Sequence, residues 1–302
     1  VRLVVPAGWQ VEPAEMQFTT KQKGESATAR FMVRIPAGAK AGTSAVEAVA
    51  VMRGREFRRG YRVVSYPENW TRFLYSNARS EIRTFDLKIA PGLTVGYVPG
   101  AGDEVPAALE QLGVKVQVLS GADLAFGDLN RFGAIVTGIR AYNVNEELKA
   151  NNQRLLDYVE RGGTLIVQYN RYLSRGTGGS DFPYGPYPLA LSEEERITVE
   201  ESPLEILEPQ SPVFNVPNKI TQADFEGWVQ ERGLCFMRQW DPKYVALLSG
   251  NDPAEAPLKG GMLLARYGKG YYIYTAYAWF RQLPAGVSGA YRIFANMLSL
   301  GK

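Results

Sequence analysis

Two hydrophobic rhythms run along the chain. Up to about residue 66, apolar positions alternate with polar ones in short runs, as in Ala29, Phe31, Val33 and Ile35 on one face of an extended segment. Residues 2–5, 17–20, 46–52 and 57–64 read the same way, separated by turn residues such as Pro6-Ala7-Gly8 and Arg53-Gly54-Arg55. Short strands at regular spacing without a helical stretch argue for a small β-sandwich over residues 1–66. Residues 67–92 carry Trp70, Phe73, Tyr75, Ile82 and Phe85; they are too aromatic for a free linker and predict a packed connector.

From Leu93 the rhythm is that of an α/β domain, expected to run over residues 93–302. Residues 93–98 are a short apolar run closed by Pro99-Gly100-Ala101-Gly102, and Asp103-Glu104-Val105-Pro106 predicts a helix start with acids in its first turn. Residues 114–119 read as the next strand and 122–132 as a helical or irregular crossing. Residues 134–139, AIVTGI, are β-branched and uncharged, as expected of a strand covered on both faces. Leu148, Leu155, Leu156 and Val159 then recur at helical spacing, and Arg161-Gly162-Gly163 predicts the stop before a second buried strand at 164–168. Strand, helix, glycine stop and strand within about 37 residues make a βαβ crossover, so the two strands are expected to be parallel neighbours. Arg140, Tyr142 and Asn143 follow the first, and Tyr169, Asn170 and Arg171 the second, at carboxyl ends where open α/β sheets hold ligands. Farther on, 193–201 and 203–207 predict an edge strand, and 244–248, 261–266 and 271–277 further strands. The last two flank a hairpin turn at Tyr267-Gly268-Lys269-Gly270, and 290–300 is a closing helix with Ile293, Phe294, Met297 and Leu298 inward.

Composition narrows the chemistry. The chain's 34 basic and 31 acidic residues leave a net charge of +3, too balanced for a nucleic-acid binder. Arg53, Arg55, Arg58, Arg59 and Arg62 crowd one hairpin and read as a solvated face rather than an anion patch. No apolar run approaches the ~20 residues of a membrane span. Val1 opens directly in strand-like sequence, which reads as a fragment or processed form, from which any targeting segment could have been lost. The absence of histidine weighs most: it removes Ser-His-Asp and Cys-His catalysis, histidine bases and histidine metal sites. No metal and no cofactor is expected.

Several groups nonetheless invite chemistry. Gly100-Ala101-Gly102 follows a strand as a dinucleotide loop does, yet the third glycine position is Val105, and Asp103 and Glu104 would repel a pyrophosphate. Gly176-Thr177-Gly178-Gly179 lacks the Lys-Ser/Thr of a phosphate loop, and Asn69-Trp70-Thr71 fits a glycosylation triplet that is common by chance. Cys235, flanked by apolar residues, reads as a buried structural thiol. Asp224 and Glu226, two apart, would share a face only in a strand, where they could act as paired carboxylates or hold a cation. Arg140, Tyr142, Asn143, Gln168, Asn170, Tyr184, Tyr187, Trp228, Trp279 and Arg281 suit sugar recognition, since aromatic faces cover C–H surfaces while amides and guanidinium groups bond hydroxyls. Packing of the loops by the same residues is the competing reading.

A resemblance adds to this. The stretches GYVPGAGDEVPAALEQLG (96–113), IVTGIRAYN (135–143), LLDYVERGGTLIVQYN (155–170), NKITQADFEGWVQERG (218–233) and YTAYAWFRQLPAGVSGAYRIFANMLSL (274–300) resemble the C-terminal region of large bacterial PIG-L-type (LmbE-like) sugar deacetylases. The resemblance implies a flavodoxin-like (class I glutamine amidotransferase-like) domain, and residues 1–65 resemble immunoglobulin-like NEW-type modules of carbohydrate-active enzymes. Amidotransferase-like enzymes carry a cysteine in a G-x-C-x-G turn after a central strand, where this chain has Tyr169-Asn170-Arg171. The PIG-L zinc motif needs histidine, which is absent. The resemblance therefore implies a noncatalytic accessory region of an exported (periplasmic or extracellular) deacetylase, orienting a carbohydrate ligand or mediating assembly with an attached or associated deacetylase domain. The alternative is a carboxylate-based hydrolase acting through Asp224 and Glu226.

Overall fold

The computed structural model describes residues 1–22, 24–66, 70–173 and 181–302; Asn69 of the glycosylation triplet and the glycines at 176–179 lie outside these. The chain forms two compact units, Val1–Asp86 and Leu87–Lys302.

In the first unit, Gly42–Met52 is the organising strand. It pairs antiparallel with Arg2–Val4, Arg55–Phe57 and Arg79–Thr84, and it supplies the unit's buried Val46 and Val49. Gln10–Glu12 pairs with Met32–Arg34, and Arg59–Tyr66 with Trp70–Asn77. Residues 17–20, expected as a strand, pair with nothing regular. The segment expected as a connector supplies two strands of the first unit, Trp70–Asn77 and Arg79–Thr84, and the division falls after Asp86. The aromatic residues find partners across the hairpin: the Tyr61 ring lies 5.4 Å from Phe73 and 5.8 Å from Tyr75, and all three are more than half exposed. Cross-strand pairing between exposed rings gives the same composition as packing would.

The second unit is built on a seven-stranded sheet. Its strands lie in the order Lys115–Val118, Thr94–Val98, Ala134–Thr137, Thr164–Gln168, Gly270–Thr275, Met262–Tyr267 and Tyr244–Ala246. The first five run parallel, and the last two pairings are antiparallel. Ala134 stands opposite Thr164 in the neighbouring parallel strand, as the crossover predicts, and both strands are buried along their length. Leu148, Leu155, Leu156 and Val159 are all buried, but the helix expected across them comes in two pieces, Glu146–Ala150 and Asn152–Glu160, preceded by one further short turn, Ala141–Val144. The breaks fall at Asn145, whose side-chain oxygen accepts from Leu148 N, and at Asn151, whose side-chain amide donates to Glu147 O. Asparagine offers the backbone such local partners, which helical periodicity does not register. Gly163 must be glycine because a Cβ there would meet the Tyr158 ring at 2.2 Å.

The closing helix Ser288–Leu298 buries Ile293, Phe294, Met297 and Leu298 as expected. Residues 193–207 stay out of the main sheet. Arg196–Ile197 pairs with Gly233–Leu234, and Leu204–Ile206 with Leu248–Gly250, forming small ribbons near the sheet's carboxyl rim. Among the described residues no helix is long and apolar enough to cross a membrane.

Candidate functional site

Thr94–Val98 and Ala134–Thr137 are neighbours, yet the strands that follow them lie on opposite sides of the pair. That reversal marks the strand-end crevice where open α/β sheets receive ligands. Here the chain fills it. Gly100 approaches Ile139 so closely that a Cβ would stand 2.0 Å from its carbonyl oxygen, and Ala101 N donates to that oxygen at 2.8 Å. The Asp103 carboxylate accepts from Ile139 N at 3.1 Å, Val105 N at 3.0 Å and the Tyr97 hydroxyl. Burial, and then the Asp103 charge, push the Tyr97 hydroxyl well above its ordinary range, so it stays a donor. A side-chain carboxylate thus stands where a dinucleotide would bring a phosphate.

One strand farther along the rim, a cavity of about 300 Å³ is open. Its walls include Arg140, Tyr169, Arg171, Glu193, Arg196, Glu231 and Cys235. Arg140 follows the Ala134–Thr137 strand with φ 54° and ψ 25°, a left-handed conformation uncommon for a residue with a side chain. Its amide donates to Tyr169 O at 2.8 Å, tying two strand ends together. Cys235 also has positive φ, 61°, and its carbonyl accepts from the Tyr274 hydroxyl at 2.8 Å, which fastens this segment above the sheet.

Most charges around the cavity are matched. Arg171 grips Glu193 in a two-pronged pair at 3.1 and 2.7 Å, Glu231 accepts from Arg281 at 2.7 Å, and Arg196 stands 3.7 Å from Glu255. Arg140 differs: its Nε is buried and has no hydrogen-bond partner among the described residues. Burial, helped by Glu193, pushes the Cys235 thiol up to about 11, and burial raises the Tyr169 phenol. Both are therefore neutral near pH 7, and the thiol is a poor nucleophile. On the neighbouring wall Thr198 is held by Asp252, which accepts from the Thr198 amide and hydroxyl, from Val199 N at 2.9 Å and from Ser202. Burial opposes ionisation of Asp252, but these bonds outweigh it and hold the carboxyl below its usual range.

Of the residues nominated for sugar binding, Arg140 alone borders this cavity. Asn143 stands beside it, its amide bridging to Arg171 and Tyr172 of the next strand end. Arg281 lies one step back, on Glu231. Tyr142, Gln168 and Asn170 are fully buried, joined to Asn152, Thr137 and the Tyr142 amide respectively. Tyr184 stacks on Tyr142 at 4.3 Å, and Tyr187 bonds Arg266 O away from the rim. Trp279 is buried with its indole N–H on Thr275, and Trp228 packs against it at 5.2 Å.

Asp224 sits in the short turn Gln222–Phe225, not in a strand. One of its oxygens accepts from Arg292 at 2.8 Å, the other from Thr221 N at 2.8 Å. Glu226 is exposed and borders a second cavity of about 480 Å³ with Trp228, Glu200, Glu201 and Arg232. Sequence reasoning passed over Glu193, Arg196, Glu231 and Cys235 as site residues; they arrive from the ribbons at 196–197 and 233–234, which carry no periodic signal. Among the described residues no three Cys, Asp or Glu side chains converge as metal ligands.

Residues 1–53 match the NPCBM-associated NEW3 domain of alpha-galactosidase, a carbohydrate-associated domain. No curated protein matches the chain in sequence. Among solved structures it is similar to a cold-adapted β-galactosidase from a Rahnella species (16% identity, 68% of this chain, TM-score 0.44), of whose length it spans 30%. It is also similar to a β-galactosidase from Bacillus circulans (12% identity, covering 70% of this chain and 31% of that one, TM-score 0.40). A cytoplasmic protein from Salmonella typhimurium (13% identity, 80% of this chain and 94% of that one, TM-score 0.43) is a third.

Proposed function

We propose that the chain is a noncatalytic accessory region of an exported carbohydrate-active enzyme, and that its second unit holds a glycan in the cavity at the sheet's carboxyl rim. The NEW3 match over residues 1–53 supports the carbohydrate association of the first unit. For the second unit, the order of its seven strands by chain position, 2-1-3-4-7-6-5, opens as a flavodoxin-like sheet does, which supports the amidotransferase-like assignment. The parent enzyme, on the resemblance of its sequence stretches, is a PIG-L-type deacetylase whose zinc domain lies elsewhere.

The observation that carries this reading is the composition of the rim cavity. It combines a cation with an unmatched donor, a protonated thiol and several charged side chains in its walls, without a base hydrogen-bonded to that thiol among the described residues. A hydrolase acting through Asp224 and Glu226 draws no support from this geometry, because Asp224 is committed to Arg292 and Thr221. Glycan-array screening followed by calorimetric titration of the full chain tests the proposal. Binding of a saccharide class without turnover is the expected result. Binding to no glycan overturns it, as does hydrolysis of an amino sugar or glycoside that Asp224→Asn abolishes.

A further inference from the structure

Resting on the carbohydrate reading above, we infer that the sugar held at the rim carries a carboxylate, as a uronic acid does, and that Arg140 is its counter-ion. The charged groups of the cavity support this one by one. Arg171 is closed by Glu193 and Arg196 faces Glu255, while Glu231 is turned to Arg281. Arg140 is left as the guanidinium whose Nε is enclosed by protein and meets no acceptor among the described residues. Arg140 lines the cavity and no carboxylate among the described residues pairs with it, so an anion entering the cavity would meet an uncompensated guanidinium. The two acidic side chains in the same wall could have taken that role, yet each is held by a different arginine.

The backbone makes the same point. Position 140 is left-handed, where glycine would be easiest, and the chain places there the longest cationic side chain it has. Tyr169 and Cys235 stay neutral beside it, so neither competes as an anion nor repels one. The outer Nη edge of a guanidinium matches a planar carboxylate through two bonds. A cavity of about 300 Å³ has room for one sugar residue rather than a long chain.

Titration of the full chain at low ionic strength with a galacturonate oligosaccharide, the matching neutral galactoside and a sulfated galactoside tests the inference. The galacturonate is expected to bind about tenfold tighter than the neutral sugar, and Arg140→Gln to erase that advantage so that the two affinities converge. Arg140→Lys, which keeps the charge but not the fork, should retain only part of it. Bound galacturonate should also shift the backbone amide resonances of Arg140 and Cys235, which places the ligand in this cavity. Equal affinity for acidic and neutral sugars, unmoved by Arg140→Gln, overturns the inference and leaves the carbohydrate reading standing. Binding by none of the three overturns the inference, and the carbohydrate reading falls with it only where the glycan screen is blank as well. A preference for the sulfated probe, or tight binding that leaves the Arg140 and Cys235 amide resonances unmoved, rejects the Arg140–carboxylate pair.

Discussion

Two crevices lie side by side on the carboxyl rim of one sheet, and they have opposite fates. In the first, Gly100 closes on Ile139 and Asp103 occupies three donors, so the place where such sheets hold ligands is satisfied from within. In the second, one strand away, Arg140 keeps an enclosed donor unmatched and the walls stay apart. The same topology thus supplies two concave sites, and side-chain chemistry decides which accepts a guest. Fold alone does not locate a site.

The comparison can be broken most directly at Asp103. Asp103→Ala strands the amides of Ile139 and Val105 and the buried Tyr97 hydroxyl, and should lower unfolding free energy by about 2–4 kcal/mol in urea titration. A loss of less than ~0.5 kcal/mol would mean that water fills the crevice equally well.

A smaller effect is expected at the wall of the open cavity. Asp252→Asn should cost about 1–2 kcal/mol at pH 7, because the amide cannot accept from all the donors of Thr198, Val199 and Ser202. The carboxyl of Asp252 lies below its ordinary value in the folded chain, so its contribution is present above the unfolded value of about 4 and lost as pH falls through the folded one. The gap between wild type and variant should therefore narrow in acid; a gap that holds constant down to about pH 2 contradicts the assignment.

The smallest change has the opposite sign. Arg140→Gly relieves a left-handed backbone and removes the unmatched donor, so stability should rise by up to about 1 kcal/mol while acidic-sugar binding disappears. A thermal midpoint that falls would show that Arg140 is a structural residue.

Much of the sheet could be read from the chain. The crossover from 134 to 168 and the inward faces of the last two long helices follow from periodicity, because continuous burial leaves little else for those positions to do. The two-part division was legible too, although its boundary was not, since exposed cross-strand rings at Tyr61, Phe73 and Tyr75 have the composition of a packed segment. The site was harder. Arg140 stands out by its position after a central strand, but Glu193, Glu231 and Cys235 reach the cavity through two-residue ribbons and long-range loops. Tyr142, Asn170 and Trp279 have the same residue types as a sugar site and serve as internal braces, a distinction that depends on burial rather than on spacing.

The filled crevice also bears on how binding is detected. Because Asp103 acts as a permanent internal guest, that end of the sheet needs no small molecule to remain folded. A ligand that raises the melting point by mass action must gain its affinity at a vacancy. On this rim the open cavity is the one lined by Arg140, so a thermal-shift screen of acidic against neutral saccharides starts from a quiet background.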